Sequence, residues 1–268
     1  MKKKILIVAG VILIAVCLFF CFAFFGNPVS KILVTKNAGD YIALNFQDSD
    51  YVIESVNYDF KTSDYYVSVI SPDSTDNHFT LYAGLDGKIV FDTYDSAVLK
   101  KWNTAERINN AYRDAVDTAF ADDGFAYNAD ISFGDIEFAD SDHAQGDDIP
   151  DYAIFADTLT LDADYDIFDM GSRAGKITLY VCDNDVSAEK AAEILLALKT
   201  HMDSQNVSFR AVHFVLESVR DENGNSISDA RIETLGFAYA DIYADGLSDR
   251  ITQADKDAKA YYAMQDKE

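Results

Sequence analysis

Residues 51–94 read YVIESVNYDFKTSDYYVSVISPDSTDNHFTLYAGLDGKIVFDTY and contain four runs rich in β-branched and aromatic side chains. The runs are 51–60, 65–71, 78–83 and 88–94, and clusters of Pro, Gly, Asp and Ser separate them. Short runs of this composition, bounded by turn residues, are typical of antiparallel strands. The sequence therefore predicts a four-stranded antiparallel meander.

The second run alternates between two sets of side chains, Tyr65, Val67 and Val69 on the one hand and Tyr66, Ser68 and Ile70 on the other. Successive side chains of a strand point to opposite faces of the sheet. An antiparallel sheet commonly packs one face on its core and leaves the other solvated. We expect one face to pack on a helix and the other to be aromatic and half exposed.

Helices are predicted on both sides of the meander. Residues 27–46 place Pro28 in a first helical turn, where its missing N–H is tolerated. Residues 96–120 repeat apolar side chains at three- and four-residue steps, the period of an amphipathic helix, and we expect one continuous helix there. The prediction is an N-terminal α+β domain over residues 27–95 and a connector helix over 96–122.

The rest of the chain, residues 123–268, also alternates between helical and strand patterns. Strands are predicted at 131–138, 152–161, 176–183, 209–219 and 230–243. Helices are predicted from about 162 to 175, after Ser187, and from 247 to 264. These patterns indicate a second α+β domain.

Residues 5–25 form an apolar stretch of 21 residues without a charged side chain, and Lys2, Lys3 and Lys4 precede it. A helix of that length measures about 30 Å, the thickness of a bilayer's hydrocarbon core. A cleavable signal peptide is disfavoured because no small-x-small site closes the stretch. The lysines predict a cytoplasmic N-terminus. The sequence thus predicts a single-pass transmembrane anchor over residues 1–26 in the cell membrane, with both domains extracytoplasmic.

The charge is strongly one-sided. The formal net charge is -24, which repels nucleic acids and anionic headgroups, so nucleic-acid binding is excluded. Between Arg113 and Arg173 the sequence has no Lys or Arg but many Asp residues. Asp142, Asp147 and Asp148 lie in a predicted loop of this stretch and are candidate ligands of a cation such as Ca²⁺, with a solvated loop as the alternative. A cationic peptide is a candidate partner for the same reason.

Other motifs carry little chemistry. Residues 162–166 imitate the first half of an EF-hand loop, but Ile167 stands where Gly is needed and Arg173 where the bidentate Glu belongs. Carboxylates at a helix N-terminus are the preferred interpretation. Serine hydrolase, zinc protease and phosphate-loop motifs are absent from the sequence. Cys182 reads as a buried small side chain and His213 as a hydrogen-bonded sheet histidine. We therefore predict no cofactor and no catalytic residue.

Several short motifs carry a family resemblance. They are residues 26–31 (GNPVSK), 57–61 (NYDFK), 71–74 (SPDS) with 76–79 (DNHF), and 102–107 (WNTAER). The chain resembles the YfjL-like family of single-span membrane proteins of Gram-positive bacteria, most closely over residues 1–112. The resemblance implies a two-domain extracytoplasmic α+β architecture and supplies no activity and no catalytic residues.

Three functions remain open at this point. The first is a non-enzymatic binding or interaction module that recognises a peptide, an envelope protein or a cation. The second is a cell-envelope hydrolase that uses paired carboxylates, which need not be close in sequence. The third is a Ca²⁺-dependent envelope module. An aromatic or acidic surface favours binding, whereas a cleft with two converging carboxylates of perturbed pKa favours the hydrolase.

Overall fold

A computed structural model describes residues 10, 12–14, 16, 20, 22–143 and 149–265. The chain divides into two compact units. The N-terminal unit comprises Met1–Thr104 and Leu159–Asp162, and the C-terminal unit comprises Ala105–Thr158 and Ala163–Glu268.

The N-terminal unit consists of a helix followed by an antiparallel sheet, as predicted. Helix α1 (Pro28–Asn45) begins after Asn27, whose side chain accepts a hydrogen bond from the Val29 N–H and caps the helix. Strands β1 (Val52–Asp59), β2 (Asp64–Ile70), β3 (His78–Ala83) and β4 (Ile89–Asp92) follow, and they pair in that order. All three pairings are antiparallel.

The core of this unit lies between α1 and one face of the sheet. Val34 and Ala38 of the helix and Val67, Val69 and Leu81 of the sheet are fully buried. The alternating partners Tyr66, Ser68 and Ile70 are half-buried. The prediction of one packed face and one half-exposed aromatic face is therefore confirmed.

The predicted transmembrane anchor is wrong. In the part of the chain that the structure describes, no helix combines the length and the apolar character needed to cross a membrane. Most of residues 5–25, on which the prediction rested, lies outside the described residues. The length and apolar composition of the stretch favoured an anchor, but neither shows that a membrane-spanning helix forms, so the single-pass, cell-membrane and extracytoplasmic predictions are wrong as well.

The predicted continuous helix over 96–120 is interrupted. A single π-helical turn (Asp95–Leu99) comes first, and helix α2 (Trp102–Ala121) starts only after Lys101. Lys101 has a φ of 62°, a left-handed conformation that a helix interior does not accept. The apolar period continues across the break, which explains why the pattern alone predicted one helix.

The C-terminal unit is built on a mixed four-stranded sheet. Its strands are β5 (Ala129–Ile136), β8 (Gly175–Asp183), β9 (Ala211–Ser218) and β10 (Arg231–Ala238), in the order β10-β9-β8-β5. The central strands β8 and β9 are parallel, and both outer pairings are antiparallel. Helix α4 (Ala188–Ser204) makes the crossover between β8 and β9, capped by the Ser187 hydroxyl.

Short elements connect the main strands. Strands β6 (Phe138–Ala139) and β7 (Ile154–Phe155) form a two-residue parallel pair, so the predicted strand over 152–161 is much shorter than expected. Helix α3 (Ile167–Ala174) has Asp166 as its N-cap, which accepts from the N–H groups of Phe168 and Asp169. Helix α5 (Leu247–Gln265) ends the described chain.

One face of the second sheet forms the core of the C-terminal unit. Ile177 and Leu179 on β8 and Phe214 on β9 are fully buried. Tyr112 of α2 is also completely buried, and its hydroxyl donates a hydrogen bond to the Ser208 carbonyl at 2.9 Å. Helix α4 contributes its own buried apolar stripe, Ala191, Ile194, Leu195 and Leu198.

Candidate functional site

Three aromatic side chains form one row across the open face of the N-terminal sheet. Tyr66 lies opposite Tyr82 in the β2–β3 register, and Tyr82 lies opposite Phe91 in the β3–β4 register. The Tyr66 and Tyr82 ring centroids are 4.8 Å apart with an interplanar angle of 81°. The Tyr82 and Phe91 centroids are 4.1 Å apart, and these rings are stacked at 12°. We call Tyr66, Tyr82 and Phe91 the aromatic row.

The aromatic row is open to solvent. Phe91 is 53% exposed, and the two tyrosines are half-buried on the face opposite α1. Neighbouring strands hold the rings at the normal strand spacing, so the row is fixed by the sheet rather than by a loop. Rigid aromatic side chains lose little conformational entropy when a partner covers them. The row is therefore well suited to contact another molecule.

Carboxylates border the aromatic row. The Tyr66 hydroxyl donates to Oδ2 of Asp59 at 3.5 Å, and the Ser68 hydroxyl donates to Oε2 of Glu54 at 2.8 Å. Asp59 and Glu54 both belong to β1, the strand that pairs with β2, which carries Tyr66. The surface thus combines exposed π systems with negative charge, which is the combination that attracts organic cations.

A second cluster lies at the end of the C-terminal sheet. Among the described residues, Asp130, Cys182 and Glu217 are the group whose side chains are placed to share a metal ion, with ligand atoms within 4.8 Å of one another. The guanidinium of Arg220 already lies 2.9 Å from Glu217 and 3.9 Å from Asp130. The guanidinium of Arg220 already forms ion pairs with both carboxylates, so we interpret the cluster as an ion-pair network.

Cys182 is expected to react slowly with alkylating agents. Burial, followed by the hydrogen bond that its thiol donates to Asp130 at 3.2 Å, raises the pKa of the Cys182 thiol. Only the thiolate is nucleophilic, so a raised pKa leaves less of the reactive form at pH 8. Iodoacetamide should modify Cys182 roughly fivefold more slowly than it modifies glutathione at pH 8, in a time course followed by peptide mass mapping.

The Asp130→Asn variant should label faster than the parent because it removes the neighbouring negative charge. Asp185→Asn serves as the control at an exposed position outside the cluster. Labelling of Cys182 as fast as that of glutathione would show that its environment does not protect the thiol.

The predicted cation ligands are only partly within the described residues. Asp142 lies in a short 3-10 turn (Ser141–His143), where its N–H donates to Oδ1 of Asp140 at 3.0 Å. Asp147 and Asp148 lie outside the described residues. A shared site for the three carboxylates therefore stays a prediction.

The histidines occupy different environments. His201 is buried in α4, with Nε2 2.7 Å from the Ala119 carbonyl oxygen. His78 is exposed at the start of β3, and His143 ends the 3-10 turn. His213 lies in β9 with Nε2 3.0 Å from Oε1 of Glu233, which confirms the expected hydrogen-bonded sheet histidine.

The sequence interpretation missed part of the aromatic row. It identified the half-exposed face from residues 65–70 but did not connect Tyr82 and Phe91 to it. The signal lay in the order of the meander, because its register places Tyr82 opposite Tyr66 and Phe91 opposite Tyr82.

These observations define a two-unit α+β protein with an open aromatic sheet face. Residues 1–93 match the family described as YfjL-like, N-terminal domain, and residues 111–252 match the YfjL-like C-terminal domain. The chain therefore belongs to the YfjL-like family, as the resemblance in its sequence motifs predicted.

Wider comparisons add little. Comparison with curated proteins finds no match. Among solved structures, the crystal structure of a DUF5037 family protein from Ruminococcus gnavus ATCC 29149 is similar at 11% identity and a TM-score of 0.25, covering 85% of this chain and 98% of that chain. A TM-score of 0.25 does not establish a shared fold.

Proposed function

We propose that this protein is a non-enzymatic binding module that holds a cationic polypeptide segment on the aromatic row of its N-terminal sheet. The observation that carries the proposal is the exposed row of Tyr66, Tyr82 and Phe91 with carboxylates beside it. Aromatic residues are enriched at the centres of protein interfaces, where they supply large contact areas.

Charge supports a cationic partner. Arg and Lys side chains bind the faces of Tyr and Phe rings, and a net charge of -24 attracts basic segments from a distance. Asp59 and Glu54 would then pair with the cations once the segment lies along the row. An acidic segment would meet repulsion at every one of these steps.

The hydrolase alternative has less support. A carboxyl group that acts as a general acid needs a raised pKa. Burial alone would raise the pKa of Glu233, but hydrogen bonds from Tyr262 and His213, together with Arg231, outweigh it and hold the pKa below its usual range. Glu233 is therefore held as an ionised structural acceptor, which is the opposite of what the acid role requires.

The Phe91→Ser variant should bind a basic peptide about three- to tenfold more weakly than the parent protein, because it removes an exposed ring that receives a cation. The probe is a fluorescein-labelled eight-residue peptide of alternating Arg and Gly, titrated with the full-length chain in about 150 mM salt, where screening reduces distant charge effects. Fluorescence anisotropy gives Kd directly.

Tyr243→Ser is the matched control, since Tyr243 is an aromatic residue of similar exposure, 50%, in the C-terminal unit. Its Kd should stay within about twofold of the parent value. A peptide of alternating Glu and Gly should not bind. Equal loss in both variants, or no loss in Phe91→Ser, would show that the peptide responds to net charge rather than to the aromatic row.

A further inference from the structure

The C-terminal unit contains a cleft between its sheet and its last helix. The cleft has a volume of about 700 Å³, and its walls include His213 of β9, Lys176 of β8, Tyr152, and Asp257 and Tyr261 of α5. Small-molecule sites in proteins typically measure about 300–1,000 Å³. The cleft thus has the size of a binding site for a small ligand.

A hydrogen-bond network fixes the histidine on the cleft wall. Glu233 is 7% exposed, and its Oε1 accepts hydrogen bonds from Tyr262 Oη at 2.8 Å and from His213 Nε2 at 3.0 Å. Its Oε2 lies 2.9 Å from Nη2 of Arg231. A carboxylate accepts only, so Nε2 of His213 carries the proton that this bond requires.

This tautomer leaves a hydrogen-bond acceptor on a residue of the cleft wall. In a neutral imidazole whose Nε2 is protonated, Nδ1 has a free lone pair. Among the described residues, Nδ1 of His213 has no hydrogen-bond partner, and the His213 side chain is 23% exposed. A ligand N–H group is the natural complement to such a nitrogen.

The charge of the cleft wall is negative. Asp151 and Asp257 both line the cleft. Lys176 is the cation on the same wall, but its ammonium is paired with Glu137 outside the cleft lining. Arg210 lies outside the lining, with its guanidinium 5.9 Å from the centre of the Tyr152 ring, and Asp257 accepts a hydrogen bond from Gln253 at 2.8 Å. The lining itself carries two carboxylates and one paired ammonium, so its charge favours a cationic ligand over an anion.

Two tyrosine rings supply the apolar part of the site. Tyr152 and Tyr261 line the cleft together with Leu235 and Ala258, so a ligand with a flat or apolar body has surface to cover. Tyrosine faces also attract cations, with attraction at distances up to about 6 Å from the ring centre. The wall thus combines carboxylates, an acceptor nitrogen and aromatic rings.

We propose that this cleft binds a small molecule in which a protonated amine is joined to an apolar or aromatic body. The ammonium group contacts the Asp257 and Asp151 carboxylates and donates a hydrogen bond to Nδ1 of His213. The apolar body lies against Tyr152 and Tyr261. This site is independent of the aromatic row, since it lies in the C-terminal unit.

The test uses the full-length chain with tyramine and tryptamine as probes, and 4-hydroxyphenylacetate and indole-3-acetate as the matched acids. Isothermal titration calorimetry should show saturable one-site binding of at least one amine, at least about tenfold tighter than its matched acid. Equal affinity for amine and acid, or saturable binding of neither amine, overturns the proposal.

Asp257→Asn should weaken amine binding about fivefold or more, since it removes one facing charge without changing the shape of the side chain. Asp249→Asn is the control because it makes the same charge change on the same helix, at an exposed position outside the cleft lining. Equal weakening in both variants identifies a bulk charge effect and overturns the site.

Phe91→Ser should leave amine binding unchanged, which separates this inference from the function proposed for the N-terminal unit. A loss of amine affinity in Phe91→Ser would place the amine on the aromatic row and overturn the cleft as its site.

Discussion

Replacing Tyr112 with alanine is expected to destabilise the C-terminal unit by about 3–5 kcal/mol, the cost of removing a fully buried aromatic side chain from a packed core. Tyr112 is completely buried, and its hydroxyl has a partner in the Ser208 carbonyl. The variant loses the ring contacts and leaves that carbonyl without its donor. Urea unfolding followed by circular dichroism gives the free energy of unfolding of both proteins.

Three glycines around Tyr112 explain why the destabilisation in Tyr112→Ala should fall near the upper end of the expected range. A Cβ atom on Gly134 or Gly171 would lie 2.9 or 2.6 Å from the Tyr112 ring, and one on Gly175 would lie 2.6 Å from its hydroxyl oxygen. The backbone thus approaches the ring closely on several sides. Gly175 is the first residue of β8, a central strand, and Gly134 lies on β5 opposite Ile177 of β8, so the cavity left by alanine cannot close without moving the sheet.

Two control variants separate the ring from the hydroxyl. Tyr112→Phe keeps the ring and should lose only about 1–2 kcal/mol. Tyr243→Ala removes a half-exposed tyrosine whose ring centre lies 3.6 Å from the Arg250 guanidinium, and it should cost less than about 1 kcal/mol. A loss of less than about 1 kcal/mol in Tyr112→Ala would mean that the glycine-lined ring does not organise this core.

Local patterns predicted much of the secondary structure. The four runs of the meander were recognisable because alternation and turn clusters act over a few residues, and the observed strands lie within one or two residues of most predictions. The break at Lys101 could not be predicted, because the left-handed conformation of one polar residue does not change the spacing of the apolar residues around it. Composition alone also misdirected the interpretation of residues 5–25.

Long-range contacts were beyond the reach of sequence patterns. Asp162 was interpreted as a carboxylate at a helix N-terminus, but Asp166 has that role in α3. Asp162 instead accepts hydrogen bonds from the N–H groups of Thr75 and Asp76, residues 87 and 86 positions earlier in the chain. No local signal marks a contact over that separation.

The candidate sites also divide into features that local patterns predict and features that depend on contacts distant in sequence. The half-exposed face of residues 65–70 was predicted because it depends on alternation within one strand. The cleft was missed because it joins residues 149–152, β8, β9, β10 and α5, five segments without a common motif. His213 was identified only as a sheet histidine, and Asp257 looked like any exposed acid on a polar helix.

Replacing Asp76 with alanine is expected to destabilise the N-terminal unit by about 2–4 kcal/mol, because it leaves buried donors without an acceptor. Asp76 is 1% exposed, and its Oδ2 accepts from the Thr104 hydroxyl at 2.8 Å and from the Asp162 N–H at 2.9 Å. Thr104 is itself completely buried, so water cannot replace the lost acceptor.

The Asp76 carboxylate joins three parts of the N-terminal unit that are far apart in sequence. Asp76 lies shortly before β3, which begins at His78. Thr104 is the last residue of the range Met1–Thr104, and Asp162 is the last residue of the separate segment Leu159–Asp162. The loop bonds between Asp162 and the 74–76 segment depend on the same geometry. Losing Asp76 should therefore loosen all three segments together rather than one side chain alone.

Urea unfolding measures the total loss, and hydrogen exchange with mass spectrometry on peptides covering β2, β3 and residues 159–162 shows where it occurs. Asp73→Ala is the matched control, since Asp73 is an exposed acid in the same loop and should change stability by less than about 0.5 kcal/mol. Faster exchange in both β3 and residues 159–162 is expected only for Asp76→Ala. Unchanged exchange at residues 159–162 would show that Asp76 does not hold that segment on the N-terminal unit.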